Sequence, residues 1–317
     1  MSDKKADILV WGPMHASLMQ NLERDYRVHK LADINDIDTW ASQHGTKVRG
    51  VVTSGVFGTD NAILDRLPNL EVVNSFGVGY DAVDTQYLAR RGIKLSNTPD
   101  VLNNAVAETA MALMLGVSRR ISEAERFVRA GQWPNGKFPL GNDLCGKTCG
   151  IVGLGKIGKT IAKRAAAFEM NIAYFRRGRA YEDVSYQHYD NLQHLAQDSD
   201  YLIVIVPGGP DTQHLIDAEV LRALGPKSFL INVARGSVVD EKALVASLLA
   251  SEIAGAGLDV FEDEPNVPAE LLKLDNVVLT PHIGSGTYET RQAMADLVFA
   301  NVSGHFEKGT LVTPVGL

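Results

Sequence analysis

The sequence predicts an α/β protein built from two domains. With 317 residues, the chain is long enough for two domains of ordinary size, each with its own core. Short apolar stretches typical of strands alternate with segments of helical spacing, in two separate series. Because parallel strands need long crossover connections, this alternation indicates parallel sheets flanked by helices.

The composition argues against several classes of protein. The net charge of −7 is unlike that of a general nucleic-acid binder, which is usually basic. No apolar stretch approaches the roughly 18–20 residues of a membrane span, and the polar stretch 1–7 lacks the apolar segment of a signal peptide. Cys145 and Cys149 have neither redox-pair spacing nor nearby zinc ligands, and we expect both to be small packing residues beside a strand. We therefore expect a soluble, cytoplasmic protein with no metal and no nucleic-acid or membrane partner.

The first series occupies residues 7–96. We predict strands at 7–12, 48–53, 70–75 and 93–96, and helices at 15–25, 61–67 and 84–91. The segment Asn97-Thr98-Pro99-Asp100 then breaks the pattern, since proline disfavours helix in the residue before it. One long helix is expected over 104–130, followed by an extended segment over 133–142.

The second series begins at residue 148 and matches a complete doubly wound nucleotide-binding domain. Its six predicted strands are 148–152, 171–175, 201–206, 228–233, 253–258 and 277–280. The last helical stretch, 287–308, comes too late for this series, so we expect it to return to the first domain. The predicted domains are therefore 1–98 together with 287–317, and an inserted domain over 99–286.

A glycine-rich loop lies between the first strand and first helix of the second series. The segment Gly153-Leu154-Gly155-Lys156-Ile157-Gly158 is a G-x-G-x-x-G motif, whose glycines allow a tight turn and close backbone approach to a pyrophosphate. The helix that follows presents unpaired N–H groups and partial positive charge. The motif in this context predicts a Rossmann-like NAD(P)-binding domain.

The next strand ends in cations where enzymes that use NAD carry an acid. Arg176 and Arg177 follow this strand, with Arg179 close behind. A carboxylate there would repel a 2′-phosphate, whereas guanidinium groups bind one through paired hydrogen bonds. We therefore predict that NADPH/NADP is preferred, with NADH/NAD as the alternative.

Three further motifs follow later strands, at the edge where open α/β sheets bind ligands. Arg235 can hold a substrate carboxylate and polarise a ketone, and His282 can protonate the oxygen that becomes an alkoxide. A carboxylate bonded to the other ring nitrogen would orient this histidine and keep it protonated. On spacing alone, four acids qualify for that role: Glu264, Glu262, Asp263 and Asp259.

These motifs together resemble the D-isomer-specific 2-hydroxyacid dehydrogenase family. The glycine loop near mid-chain, Val233-Ala-Arg-Gly236, Leu258-Asp-Val-Phe-x-x-Glu-Pro265 and Pro281-His-Ile-Gly284 stand in the family's order and spacing. The resemblance implies that Arg235, Glu264 and His282 are catalytic. It also implies a discontinuous, flavodoxin-like substrate domain around the cofactor domain, a cleft between them, and a homodimer.

The first domain contains a glycine loop of its own. Its glycines, Gly77 and Gly79, permit successive backbone N–H groups to face an anion. The resemblance implies substrate binding by the amides of Val78 and Gly79, opposite Arg235 and His282, and places Ser54 and Gly55 near the same pocket. It further implies cofactor contacts, besides the glycine loop and the arginines, at Val206, Pro207, Thr212, Val233, Ala234, Arg235, Asp259, His282 and Gly284.

Within the family, the sequence is most similar to NADPH-dependent glyoxylate/hydroxypyruvate reductases. The implied function is reduction of small 2-oxo acids, glyoxylate or hydroxypyruvate, to the D-2-hydroxy acids glycolate or D-glycerate, with His282 as proton donor. Hydroxyphenylpyruvate or another 2-oxo acid is the alternative substrate. A different class, a dinucleotide-sensing protein akin to transcriptional corepressors, shares the fold and stays open as a second hypothesis.

Overall fold

The computed structural model describes residues 6–317, and the first five residues of the polar N-terminal stretch lie outside them. The described chain forms two compact units. Unit 1 comprises the residues up to Leu102 together with Thr287–Leu317, and unit 2 comprises Asn103–Gly286. The sequence-based division lies close by, at 98/99 and 286/287. The C-terminal helix belongs to unit 1, so that unit is discontinuous in the chain.

Strands and helices alternate in both units. The strands are β1 (Asp7–Val10), β2 (Arg27–Lys30), β3 (Val48–Ser54), β4 (Val72–Phe76), β5 (Lys94–Ser96), β6 (Thr148–Val152), β7 (Asn171–Phe175), β8 (Gln187–Tyr189), β9 (Tyr201–Val204), β10 (Phe229–Asn232), β11 (Gly255–Leu258), β12 (Val277–Leu279) and β13 (Pro314–Val315). The helices are α1 (Ala16–Asp25), α2 (Ile37–His44), α3 (Asn61–Leu64), α4 (Thr85–Arg90), α5 (Asn103–Ser118), α6 (Ile121–Arg129), α7 (Lys156–Ala167), α8 (Leu192–Gln197), α9 (Ala218–Leu224), α10 (Glu241–Leu249) and α11 (Tyr288–Lys308).

Unit 1 is built on a sheet with the order β2-β1-β3-β4-β5, all parallel, and β13 joins β5 as an antiparallel edge. This is the strand order of flavodoxin-like folds. Valine and leucine side chains from β1, β3, β4 and β5 and from the helices form a core of its own. The carboxyl ends of β3 and β4 lead directly into the loops at Ser54 and Gly77.

Unit 2 is built on a fully parallel sheet with the order β8-β7-β6-β9-β10-β11-β12. Its first six strands in sequence follow the 3-2-1-4-5-6 order of the Rossmann fold, and β12 extends the sheet by one strand. Strands β9 and β10 are buried along their whole length, as expected for a sheet covered by helices on both faces. The predicted α/β class and the Rossmann-like domain are confirmed.

Several elements differ from the sequence-based expectation. Strands β2, β8 and β13 were not predicted, because they are short, lie at or near sheet edges and carry mostly polar or half-exposed side chains. The long helix predicted over 104–130 is in fact α5 and α6. Arg120 lies between them with a left-handed φ of 55°, which ends one helix and starts the next in a new direction.

The two cysteines also differ from each other. Cys149 is buried in β6, and burial raises the pKa of its thiol to about 12, as suits a packing residue. Cys145 is exposed and donates to the Glu169 carboxylate, 3.2 Å away, so the expectation that both are packing residues was wrong for Cys145. Among residues 6–317, no cluster of ligands suits a metal ion. No helix in the same range is long and apolar enough to cross a membrane.

Candidate functional site

The glycine loop between β6 and α7 uses each glycine for a different reason. Gly153 has a φ of 102°, and a Cβ there would lie 2.8 Å from the carbonyl oxygen of Ile205. A Cβ on Gly158 would lie 2.2 Å from the carbonyl oxygen of Gly153, so only glycine lets α7 pack this close to the strand. A Cβ on Gly155 would meet nothing within 4 Å. Its side is open for a ligand that approaches the backbone.

The first turn of α7 supports the same role. Gly155 caps the helix without a side chain, so no side-chain acceptor binds the N–H groups of the first turn. These groups and the helix dipole favour an anion. The loop therefore fits the pyrophosphate of a dinucleotide: tight turn, open backbone and an electropositive helix end are all present.

The end of β7 holds the predicted arginines in an exposed turn. The guanidinium carbon of Arg176 lies 4.0 Å from the ring centroid of Tyr181, and the ammonium of Lys159 lies 4.9 Å from the same centroid. Arg177 donates from Nη2 to the carbonyl oxygen of Asp211 at 2.8 Å. Sequence reasoning missed Lys159 and Tyr181, because only the fold brings the α7 lysine next to this turn.

The remaining cofactor candidates follow β9 and β10, whose carboxyl ends are neighbours in the sheet. Thr212 is engaged within its own loop, where its hydroxyl donates to the carbonyl oxygen of Pro207 at 2.7 Å. Val233 and Ala234 are almost fully buried after β10. These loops, with the partly exposed Val206, line the same edge of the sheet as the glycine loop.

The four acids after β11 have four different partners. Glu264 bonds to His282, with 2.7 Å between Oε2 and Nδ1. Glu262 pairs with His214, and Asp263 accepts from the side-chain amide of Asn266. Spacing alone left four acids as candidates for the bond to His282, and the geometry selects Glu264.

The pair of Glu264 and His282 is partly buried. Burial raises the pKa of Glu264, but the hydrogen bond and charge of His282, the amide of Phe261 at 3.1 Å and the charge of Arg235 outweigh it. Its pKa therefore lies below the ordinary value, and the carboxylate stays ionised. Because Nδ1 of His282 is bonded to Glu264, Nε2 is the nitrogen left to exchange a proton with a substrate.

Asp259, the fourth acid, holds the loop that carries His282. It is 2% exposed, and its carboxylate accepts from the hydroxyl of Thr280 at 2.7 Å and from the amides of Ile283 and Gly284, both at 2.8 Å. His282 lies in this loop with a φ of 51°, a conformation that non-glycine residues adopt only where the surroundings enforce it. The family resemblance implied that Asp259 contacts the cofactor. In the structure, both of its carboxylate oxygens accept hydrogen bonds from Thr280 and from the loop that carries His282.

Arg235 is positioned by contacts between neighbouring loops. The side-chain amide of Asn232, at the end of β10, donates to the carbonyl oxygen of Arg235 at 3.0 Å, and its oxygen accepts from the Ala234 amide at 3.1 Å. A Cβ on Gly236 would overlap the Phe261 backbone at about 2 Å, so glycine lets the two loops touch. The arginine is therefore close enough to lower the pKa of Glu264.

The substrate candidates of unit 1 lie at the carboxyl ends of β3 and β4. Gly77 has a φ of 154°, and Asn97 donates to the carbonyl oxygen of Val78 at 2.8 Å. The amides of Val78 and Gly79 have no hydrogen-bond partner among the described residues. This arrangement suits an anion-binding loop. Ser54 is half-exposed, and its hydroxyl accepts from the Phe57 amide at 3.3 Å.

Fold and site together define a class: a dehydrogenase whose dinucleotide-binding domain carries an arginine, a glutamate and a histidine at the carboxyl edge of its sheet. Residues 111–284 match the model of the "D-isomer specific 2-hydroxyacid dehydrogenase, NAD binding domain". The chain belongs to the D-isomer specific 2-hydroxyacid dehydrogenase family, and unit 2 is its NAD(P)-binding domain.

Several relatives match over nearly their whole length. The glyoxylate/hydroxypyruvate reductase A of Arabidopsis thaliana is 44% identical, with 97% of this chain and 98% of that protein covered. The hydroxyphenylpyruvate reductase of Plectranthus scutellarioides has the same identity and coverage. The crystal structure of an NADPH-dependent glyoxylate/hydroxypyruvate reductase from Sinorhizobium meliloti, in complex with NADP and malonate, superposes with a TM-score of 0.92 at 44% identity, covering 98% of this chain and 97% of that one.

Proposed function

We propose that this protein is an NADPH-dependent reductase of small 2-oxo acids, converting glyoxylate to glycolate or hydroxypyruvate to D-glycerate. The observation that carries the proposal is the bond between Glu264 and His282 beside Arg235. Relatives with 44% identity over almost the whole chain carry the names of glyoxylate/hydroxypyruvate reductases, which supports this substrate class.

Arg235 holds the substrate. Its planar guanidinium binds a carboxylate through two hydrogen bonds and polarises the adjacent ketone. In unit 1, the family resemblance assigns carboxylate binding to the amides of Val78 and Gly79, which have no partner among the described residues, with Ser54 and Gly55 near them. Arg235 and His282 both lie next to Glu264, so a ketone held by the arginine lies on the same side of the sheet as the histidine.

His282 supplies the proton. Nε2–H donates to the carbonyl oxygen as that oxygen becomes an alkoxide, and the product leaves as a hydroxy acid. Glu264 orients the ring through Nδ1 and stabilises the protonated imidazole, while Asp259 holds the loop. In the reverse direction the same nitrogen removes the proton from the alcohol.

The dinucleotide is held by the glycine loop 153–158 and by the other residues that the family resemblance implies. NADPH, when bound, supplies the hydride that reduces C2. Arg176 and Arg177 bind its 2′-phosphate, and Tyr181 supports Arg176 through a cation–π contact. The ammonium of Lys159 lies on the same aromatic ring and forms an ion pair with Asp183.

The cofactor preference is tested by kcat/KM with NADPH and with NADH. We expect wild type to favour NADPH at least tenfold, and Arg176→Asp to lose most of that preference, because a carboxylate repels the 2′-phosphate. Equal use of both cofactors by the wild type would contradict the assignment. Arg179→Asp, also in the exposed turn, is the matched control for the change in charge.

The substrate is tested by NADPH oxidation with a panel of 2-oxo acids. We expect the highest kcat/KM with glyoxylate or hydroxypyruvate. The relative named for hydroxyphenylpyruvate makes that acid the second candidate, and a preference for it would change the substrate but keep the reaction. Tight NADPH binding without turnover of any 2-oxo acid would instead favour the dinucleotide-sensing protein.

The protein acts as a cytoplasmic homodimer. Exposed apolar side chains on unit 2 support this: Trp133 is 68% exposed and Leu140 94% exposed, and Ile121 and Val128 of α6 are exposed as well. Phe138 instead packs on the ring of Phe127, with 5.4 Å between centroids. Light scattering of wild type and of Trp133→Glu/Leu140→Glu tests the proposal, with a monomeric wild type as the contrary result.

The free, exposed Cys145 suits a reducing compartment.

A further inference from the structure

Unit 1 contains a polar cavity that the proposed reaction does not use. Its volume is about 810 Å³, within the range of about 300–1,000 Å³ that is typical of small-molecule sites. Four of its lining side chains are cationic and one is anionic, in a protein whose net charge is −7. The charged lining residues are Lys47, Arg49, Arg91, Lys94 and Glu71.

The cavity lies at the amino ends of three parallel strands. Lys47 comes just before β3, Glu71 just before β4, and Lys94 is the first residue of β5. The loops at Ser54 and Gly77 lie at the opposite, carboxyl ends of β3 and β4. Within unit 1 the cavity is therefore separate from the loop proposed to bind substrate.

Arg49 is held rigidly at the cavity. Nε and Nη2 donate to the two oxygens of Glu71 at 2.6 and 3.1 Å, and its guanidinium lies 5.1 Å from the ring centroid of Phe306. Nη1 has no hydrogen-bond partner among the described residues. Arg49, with His305, holds the pKa of Glu71 below its ordinary value, against the effect of burial, so Glu71 is ionised but offsets only one of the cations.

The two lysines leave most of their hydrogen-bonding capacity free. Lys94 gives one of its three donors to the carbonyl oxygen of Gly309 at 2.9 Å. Within residues 6–317, the ammonium of Lys47 forms no ion pair or hydrogen bond, whereas the guanidinium of Arg91 already donates to the carbonyl oxygens of Leu64 and Leu67. The available donors therefore come from Lys47, Lys94 and Arg49.

A buried histidine completes the lining. His305 of α11 is 8% exposed, and its Nε2 lies 3.0 Å from Oε2 of Glu71. Its Nδ1 is buried with no hydrogen-bond partner in the described part of the chain. Buried polar atoms are normally satisfied, so the protein alone does not complete this network.

We propose that this cavity binds a small molecule bearing a phosphate group. A monocarboxylate is best recognised by the paired donors of an arginine, but those of Arg49 already bind Glu71. The remaining donors are the two ammonium groups and the Nη1 amino group of Arg49, at the amino ends of two strands, and they suit the several oxygens and multiple charge of a phosphate. The cavity is large enough for a phosphorylated metabolite rather than for a phosphate ion alone.

Calorimetric titration with pyrophosphate tests this on the full chain saturated with NADP. Saturation blocks the glycine loop, and no turnover is needed, so the result does not depend on the proposed substrate. We expect one pyrophosphate per chain, and about tenfold or greater weakening in Lys47→Ala/Lys94→Ala, because two charge-assisted contacts are lost. The matched control is Lys227→Ala/Lys242→Ala, which removes the same charge from exposed positions of unit 2 and should bind like wild type.

A substitution that should strengthen pyrophosphate binding provides a second test. Glu71→Gln removes the one negative charge of the cavity and should tighten pyrophosphate binding several-fold, since repulsion is relieved while the amide oxygen can still accept from Arg49. No binding by wild type, or equal affinity in wild type and Lys47→Ala/Lys94→Ala, would overturn the proposal. Weaker binding by Glu71→Gln would equally count against it.

Discussion

The loop after β11 supplies the glutamates of two histidine–glutamate pairs that look alike in isolation. Glu262 pairs with His214 and Glu264 with His282, and both histidines have left-handed backbones, with φ of 49° and 51°. The first pair is the more exposed, at 41% and 31% of the side-chain areas against 31% and 24% for the second. Composition and pairing alone would not separate them.

The difference lies in what surrounds each pair. Glu264 also accepts from the Phe261 amide and lies near Arg235, while the loop of His282 is clamped by the buried Asp259. Besides its bond to Glu262, His214 is held by its amide, which donates to the carbonyl oxygen of Ser237 at 2.8 Å. The neighbouring cation and the supporting loop are thus what favour Glu264 and His282 as the proposed catalytic pair.

The largest expected effect separates the two histidines. His282→Ala should lower kcat about 1,000-fold, because general acid catalysis by a positioned side chain contributes about 100- to 10,000-fold. NADPH affinity should hardly change. His214→Ala is the matched control and should stay within about threefold of wild-type kcat. Steady-state kinetics measure kcat, and fluorescence titration measures NADPH affinity. Comparable losses of kcat in the two variants would contradict the distinction between the two histidines.

The two glutamates provide the next comparison. Glu264→Gln should lower kcat about 10- to 100-fold and remove the acid limb of the kcat/KM profile, since that limb reports protonation of the Glu264 carboxylate, whose pKa lies below its ordinary value. Glu262→Gln should leave rate and profile nearly unchanged. The pH dependence is the decisive readout, because a merely structural role for Glu264 would not shift it.

The support that Asp259 gives to the loop of His282 is tested by Asp259→Asn. The amide group can accept fewer hydrogen bonds than the carboxylate, so the loop of His282 loses part of its support, and kcat should fall about tenfold through misplacement of the ring. Asp263→Asn, in the same loop after β11, is the control. If the pair of Glu264 and His282 works without the clamp, Asp259→Asn will keep wild-type kcat.

The smallest effect is on stability. The pKa of Glu264 is below its ordinary value of 4.5, so its ionised form stabilises the folded protein above that pH, and this contribution is lost as pH falls through the lowered value. Glu264→Gln should therefore cost about 1–2 kcal/mol at pH 7, less as the pH falls below about 4. Urea unfolding across this range measures it, with Glu262→Gln as control. A cost that grows on acidification would have the wrong sign.

The elements that sequence reasoning found are those with a strong hydrophobic pattern. All strands buried on both faces, such as β9 and β10, were predicted, because a long apolar stretch has few alternatives to a central parallel strand. Strands β2, β8 and β13 pair at or near sheet edges with polar side chains, so no pattern marks them. The break at Arg120 was also invisible, since apolar residues continue on both sides of it.

At the site, too, the sequence predicted those residues that belong to a strong local pattern. Order and spacing along the chain were enough to indicate a dinucleotide loop and to name Arg235 and His282. No local sequence pattern predicted that Lys159 and Tyr181 lie beside Arg176, because the two residues come from different elements.

What the sequence by itself determined was the class of fold, the family and the residue types of the site, because hydrophobic periodicity and short motifs are local properties of the chain. Tertiary structure decided which acid bonds to His282, that Asp259 supports the loop of His282, and that cations at the amino ends of β3 and β5 line a cavity in unit 1. These choices depend on distances between segments far apart in sequence. Such distances exist only once the strands have taken their order and register.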